Sequence, residues 1–368
     1  MGRLGEFIVF FLITILASQV LKTLILAGFF KHVINHSPGP CRVIKVNGSE
    51  DLALLPDGLV FVSSGLRYNV LTWYDPVIDT WESKLMTFDL NKPNENPVEL
   101  TLKNFNRTGF NPHGISVYRD PSSGTVSLFV VNHRPDAQAI EIFDFERETH
   151  SLIHRRSVVD ALIWSPNNLH AVGPDSFYVT NDNFFHFDNT LLCVLHKFLL
   201  NKWLHCNIVF FDGFKAIEAI GGVHPNGISM DKDERFVFTS ALFENGIAIF
   251  RRLQDNTLEA SQLIKVGSIV DNINVDAVTG DLWVAALPRV LEFSAHSQNL
   301  SHLSPSQVLT VQLGKPSPTG EAFPDYKVRE VYMNDGQELS GCTSALVYKN
   351  RLLMGAVFSN MLYCEMKC

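Results

Sequence analysis

Six phrases of similar shape recur along this chain, most of them about 55 residues apart. They are LLPDGLVFVSSG (54–65), NPHGISVY (111–118), HAVGPDSFYVTND (170–182), HPNGISMDKDERFVFTSA (224–241), NINVDAVTGDLWVAA (272–286) and SALVYKNRLLMGAVF (344–358). Most carry two short β-rich runs around a turn marker such as Asp-Gly, Gly-Pro or Thr-Gly-Asp. The spacing is close to the length of one four-stranded propeller blade. Six such units predict an all-β fold, a six-bladed β-propeller whose loops converge on a central tunnel. A sandwich of hairpins would share the strands but would not require the regular spacing.

The segment before the first repeat is different. Residues 7–30, FIVFFLITILASQVLKTLILAGFF, are apolar apart from a few polar residues and Lys22, and their length suits a transmembrane helix. The small pair Ala17-Ser18 offers a cleavage site, but a second apolar run follows it, which favours an uncleaved signal-anchor. The expected organisation is a tail (1–6), the anchor (7–30), a linker (31–40) and the propeller (41–368). Four N-x-S/T sequons follow the anchor, at Asn35, Asn47, Asn106 and Asn299. They imply a lumenal or extracellular body, hence a type II membrane protein of the endoplasmic reticulum or plasma membrane. The six cysteines fit that compartment. Cys41 opens the body and Cys364 closes it, so a bridge between them would tie its two ends; Cys193, Cys206, Cys342 and Cys368 cannot be paired from spacing. Charged residues are 18% and the formal net charge is −8, so no basic surface invites nucleic acid.

One stretch breaks the repeat. Over 189–205, Leu191, Leu195, Phe198 and Leu199 share a helical stripe, which predicts an amphipathic helix between blades. It would serve as a lid, a membrane contact or a cover for a sheet edge.

Two groups of residues could carry chemistry. His113 and His133 stand at matching ends of one predicted hairpin around the turn cluster Asp120-Pro-Ser-Ser-Gly124; taken alone they are as readily two unrelated core histidines. Carboxylates and amides also recur near the starts of separate repeats: Glu50-Asp51, Asn167-Asn168, Asn226 and Asp271-Asn272. In a propeller such turns face one axis. Oxygen donors without thiolate suit a hard cation such as Ca²⁺, not zinc, and Glu50 with Asp271 supplies two negative charges.

The phrases GSEDLALLPDGLVFVSSGL, FNPHGIS, FVVNH, AVGP, NGIS, VDNINVD, TGDLWV and LYCE make the body, about 41–364, resemble the paraoxonases, calcium-dependent lactonases and arylesterases. The resemblance implies a six-bladed propeller with a catalytic and a structural Ca²⁺ in its tunnel. It implies Glu50, Asn167, Asn226, Asp271 and Asn272 as ligands of the first ion. Asp51, the Ile115 backbone oxygen and Asn168 would hold the second, and His113 with His133 would form a dyad that activates water. Asn168 stands where the family has Asp, so weaker binding of the second ion is expected. Ala286-Leu287 replaces a Cys-His pair at the tunnel mouth, making that pocket more apolar, and His224-Pro225 also departs from the pattern. Two functions follow from the resemblance: a membrane-anchored hydrolase of lactones or aryl esters, or a non-catalytic accessory subunit or assembly factor for degenerin-type ion channels.

Overall fold

In the computed structural model, residues 3–67, 76–185, 192, 204–314 and 323–367 are described. Six sheets follow one another along the chain, and each is a blade. Their innermost strands are Leu52–Leu54, Pro112–Arg119, Pro166–Ala171, Pro225–Met230, Ile269–Val275 and Cys342–Tyr348. Each innermost strand contacts the next, and the sixth contacts the first, which closes the ring. Every repeated phrase of the sequence falls on the hairpin that joins the first two strands of a blade. The second blade carries an extra outer strand, Thr101–Lys103, paired in parallel with Ser151–Val158.

The second strand of each blade is buried almost end to end without alternation, for example Val126–His133 and Leu282–Leu287. A neighbouring blade covers each of its faces, so period-2 polarity has no solvent to meet. The core is therefore six hydrophobic seams, one between each pair of adjacent blades. The seam between blades one and two packs Phe61 and Leu85 against Leu128 and Phe143.

The sixth blade is built from both ends of the body. Cys41–Ile44 lies antiparallel beside Met361–Glu365 as its outermost strand, with Cys41 directly opposite Cys364. The expected disulfide joins those two residues across 323 positions. Cys206 and Cys342 are buried, while Cys193 and Cys368 lie outside the described residues.

A helix, α1, spans Arg3–Leu26, starting and ending four residues earlier than the 7–30 span expected from the sequence. Side chains at several of its positions lie outside the described residues. Among the described residues no helix is long and apolar enough to cross a membrane. The end of α1 is tied to the fourth and fifth blades: Asn245 donates its amide to the Leu26 carbonyl, and Val290 N–H donates to the Ala27 carbonyl. The amphipathic helix expected over 189–205 falls almost wholly outside the described residues. All four sequon asparagines are exposed.

Candidate metal and dyad site

The innermost strands share a local defect. In blades two to five the strand gains one extra residue against its partner: Pro112 and Ile115 pair with Asn132 and Val130, so three steps on one strand match two on the other. The same shift occurs between Pro166 and Leu169, Pro225 and Ile228, and Val270 and Ile273. Such β-bulges bend the strand and re-aim the side chains within them. The bulged residues are His113-Gly114, Asn167-Asn168, Asn226-Gly227 and Asp271-Asn272. Every candidate ligand on these four strands except Ile115 thus sits in a bulge. The glycines are there for close approach. A Cβ at Gly114 would lie 2.6 Å from the Asn167 carbonyl oxygen, and one at Gly227 would lie 2.5 Å from that of Asp271.

Glu50 and Asp51 precede the first innermost strand, and each is only 3% exposed. Among the described residues neither pairs with Lys or Arg; Glu50 Oε1 lies 3.5 Å from His113 Nε2. Burial pushes the Glu50 carboxyl up to about 8, against the hydrogen bond from Asn272. Burial, with Glu50 alongside, pushes Asp51 up to about 7. Of the two, Glu50 is the one the described residues leave poorly satisfied, since its Oε2 is buried without a hydrogen-bond partner.

Three oxygens of this set are buried and accept no hydrogen bond among the described residues: Glu50 Oε2, Asn167 Oδ1 and Asn226 Oδ1. They come from three blades and are all oxygens, the donor type a hard cation takes. Asn272 donates to Glu50 Oε1 at 2.9 Å, and Asp271 is buried beside it in the sequence. The first expected ligand set therefore fits a divalent oxygen-loving ion, with Glu50 and Asp271 supplying matching charge. Among the described residues no group of three or more His, Cys, Asp or Glu is arranged to hold a metal; three of these five ligands are asparagines.

Asp51 and Asn168 are arranged differently. Asp51 Oδ1 accepts from Leu52 N–H at 2.8 Å and Ser344 Oγ at 3.0 Å. Its Oδ2 accepts from Ile115 N–H at 3.0 Å and Asn168 Nδ2 at 3.1 Å. Ile115, expected to offer its carbonyl to the second ion, here offers its N–H to Asp51.

The hairpin brings the two histidines together as expected: His113 Nδ1 lies 2.7 Å from His133 Nε2. Both are buried, at 4% and 5% exposure. His133 Nδ1 lies 2.5 Å from Gln138 Oε1, a partner the sequence reading missed. Burial, reinforced by His113, pushes His133 down to about 3, so it is neutral at physiological pH. With Gln138 Oε1 as acceptor, His133 donates from Nδ1–H, and its Nε2 then accepts from His113 Nδ1–H. That order leaves the proton off His113 Nε2, the nitrogen beside Glu50.

Two further departures have clear positions. Leu287 packs with Leu66, Ile78, Phe293, Val357 and Phe358 in a satellite cluster. It meets the helix Val290–Gln298 there through Phe293. His224 is buried against Phe243, with ring centroids 4.8 Å apart, and Pro225 begins the fourth innermost strand.

Comparison with known proteins follows the same lines. The profile of the Arylesterase family matches residues 36–366. Mouse serum paraoxonase/arylesterase 1 is 35% identical over 334 residues, covering 89% of this chain and 88% of that protein. Rabbit serum paraoxonase/lactonase 3 is 34% identical over 335 residues, covering 89% of each. Among solved structures, a gluconolactonase from Xanthomonas campestris superimposes with a TM-score of 0.50 at 13% identity, over 90% of this chain and 93% of that one. An aldose sugar dehydrogenase from Streptomyces coelicolor gives 0.51 at 13%, over 90% and 99%; these two share the fold. With the profile spanning the whole propeller and relatives above one-third identity along it, this chain belongs to the arylesterase (paraoxonase) family.

Proposed function

We propose that the protein is a calcium-dependent hydrolase of lactones or aryl esters. The observation that carries this reading is that three buried oxygens lack a hydrogen-bond partner among the described residues, one of them on Glu50, whose other oxygen lies 3.5 Å from His113 of the histidine dyad. Glu50, Asn167, Asn226, Asp271 and Asn272 would hold the ion. When bound, Ca²⁺ supplies Lewis-acid polarisation of the ester carbonyl and stabilises negative charge on its oxygen. His113 Nε2, which lacks a proton in the tautomer set by Gln138 and His133, takes one from water as the water oxygen bonds to the carbonyl carbon, and returns it to the alcohol or phenol oxygen as its bond to that carbon breaks. His133 holds the ring of His113 in that tautomer and orientation. The seams around the tunnel exclude bulk solvent and so strengthen these interactions.

The test is turnover of phenyl acetate and a simple δ-lactone by the purified chain. Hydrolysis should be abolished by chelator and restored by calcium. Activity that persists after complete calcium removal would overturn the reading. No turnover of either substrate in calcium favours the accessory-subunit role for degenerin-type channels, in which the same oxygens would serve stability alone.

The membrane and compartment are part of the same proposal. Phe7, Phe10, Phe11 and Ile13 of α1 are each more than half exposed, an arrangement that apolar side chains adopt against lipid. The exposed sequons support a lumenal or extracellular body. Glycosidase should therefore lower the apparent mass in several steps, and residues before Phe7 should be recovered on N-terminal sequencing. A mature N-terminus near Gln19 would remove the anchor.

A further inference from the structure

We propose that the position expected for a second, structural ion takes none in this protein, because the Asn168 side-chain amide fills it as a hydrogen-bonded strut. Asn168 Nδ2 donates both to Asp51 Oδ2 at 3.1 Å and to Asn272 Oδ1 at 2.7 Å. The orientation of the amide is fixed from its other end, where Leu169 N–H donates to Asn168 Oδ1 at 2.6 Å. Swapping nitrogen and oxygen would set an amide N–H against a backbone N–H and a carbonyl against the Asp51 carboxylate.

The accounting around Asp51 is complete. Each of its oxygens already accepts two hydrogen bonds, from Leu52 and Ser344 on one and from Ile115 and Asn168 on the other. Glu50 Oε2, Asn167 Oδ1 and Asn226 Oδ1 differ, for among the described residues they accept none. The first set keeps three unused oxygens, whereas Asp51 is met by the N–H groups of Ile115 and Asn168. An aspartate at 168 would place a second carboxylate at hydrogen-bond distance from Asp51, and that pair needs a cation between it. The amide needs none. It also joins elements that an ion would otherwise join: Asp51 is linked to blades one, two, three and six, and Asn168 carries the network to blade five through Asn272. Buried donors and acceptors that are all satisfied fix such a junction well.

The experiment counts calcium by elemental analysis in the full-length chain after desalting, for wild type and for Asn168→Asp. The wild type should hold one ion per chain and Asn168→Asp two. Chelator should lower the melting temperature of the variant further than that of the wild type. Two ions in the wild type would overturn the strut, as would an unchanged count in a folded Asn168→Asp. The wild-type count decides the matter if the variant does not fold. None in the wild type and one in the variant would uphold the strut while removing the calcium-dependent reading of the first set. Ester turnover plays no part in the count, so this inference and the proposed activity can fail separately.

Discussion

Replacing His113 by glutamine is expected to lower ester or lactone turnover by roughly 10²–10⁴-fold, the usual worth of general-base help. Glutamine keeps a polar group in the bulge but cannot accept and pass on a proton as the imidazole does. Its effect on calcium affinity should be slight, because imidazole is a poor ligand for a hard ion and the candidate ligands are all oxygens. The two quantities must be measured on the same preparation, alongside Asp271→Ala, which should weaken ion binding and stability together. If His113→Gln lost rate and calcium affinity in equal measure, His113 would be a structural member of the bulge and the dyad would have no catalytic role.

The second large effect is on stability. The double substitution Cys41→Ser/Cys364→Ser should cost about 2–5 kcal/mol in a reversible urea titration, since the bridge closes nearly the whole body into one loop. Among the described residues Cys41–Ile44 has one strand partner, Met361–Glu365, so the bridge supplements a single line of pairing and the burial of Ile44. The wild-type protein titrated with and without reductant should show the same difference. Matching midpoints in those two titrations, or Cys41 recovered as a free thiol on peptide mapping, would mean that strand pairing alone closes the ring.

Much of this arrangement can be read from the residues because a propeller repeats one solution six times. The apolar pairs of strands and their turn markers recur, and the recurrence carries the fold even where any single run, such as FYVTN, is ambiguous. The Cys41–Cys364 pairing was legible because closure of a ring leaves the two ends of the body side by side. The bulges were not legible as such. Their trace is the pattern Pro-His-Gly-Ile-Ser and Pro-Asn-Gly-Ile-Ser, in which the glycine admits the neighbouring backbone. Gln138 lay beyond sequence reasoning because its contact with His133 depends on the turn at 134–137. Asn168 could be seen as a lost carboxylate. That its amide would point towards Asp51 follows only from the Leu169 N–H behind it. The bounds of α1 shifted for an ordinary reason: helix ends are set by local backbone contacts, and apolarity continues past them to Phe30.

A blade assembled from both ends also imposes an order on biosynthesis. Cys41–Ile44 leaves the ribosome long before Met361–Glu365 exists, and for that interval its edge has no partner. Unpaired edges recruit other chains. The strand is short, half-exposed and carries Arg42, with Lys45 just beyond it, features that discourage such recruitment. Blades one to five can dock as they emerge, but the first blade cannot gain its last neighbour until translation passes residue 361. A message cut short before that point would yield a chain with most of its seams formed and one open flank, a ready client for chaperones and for degradation.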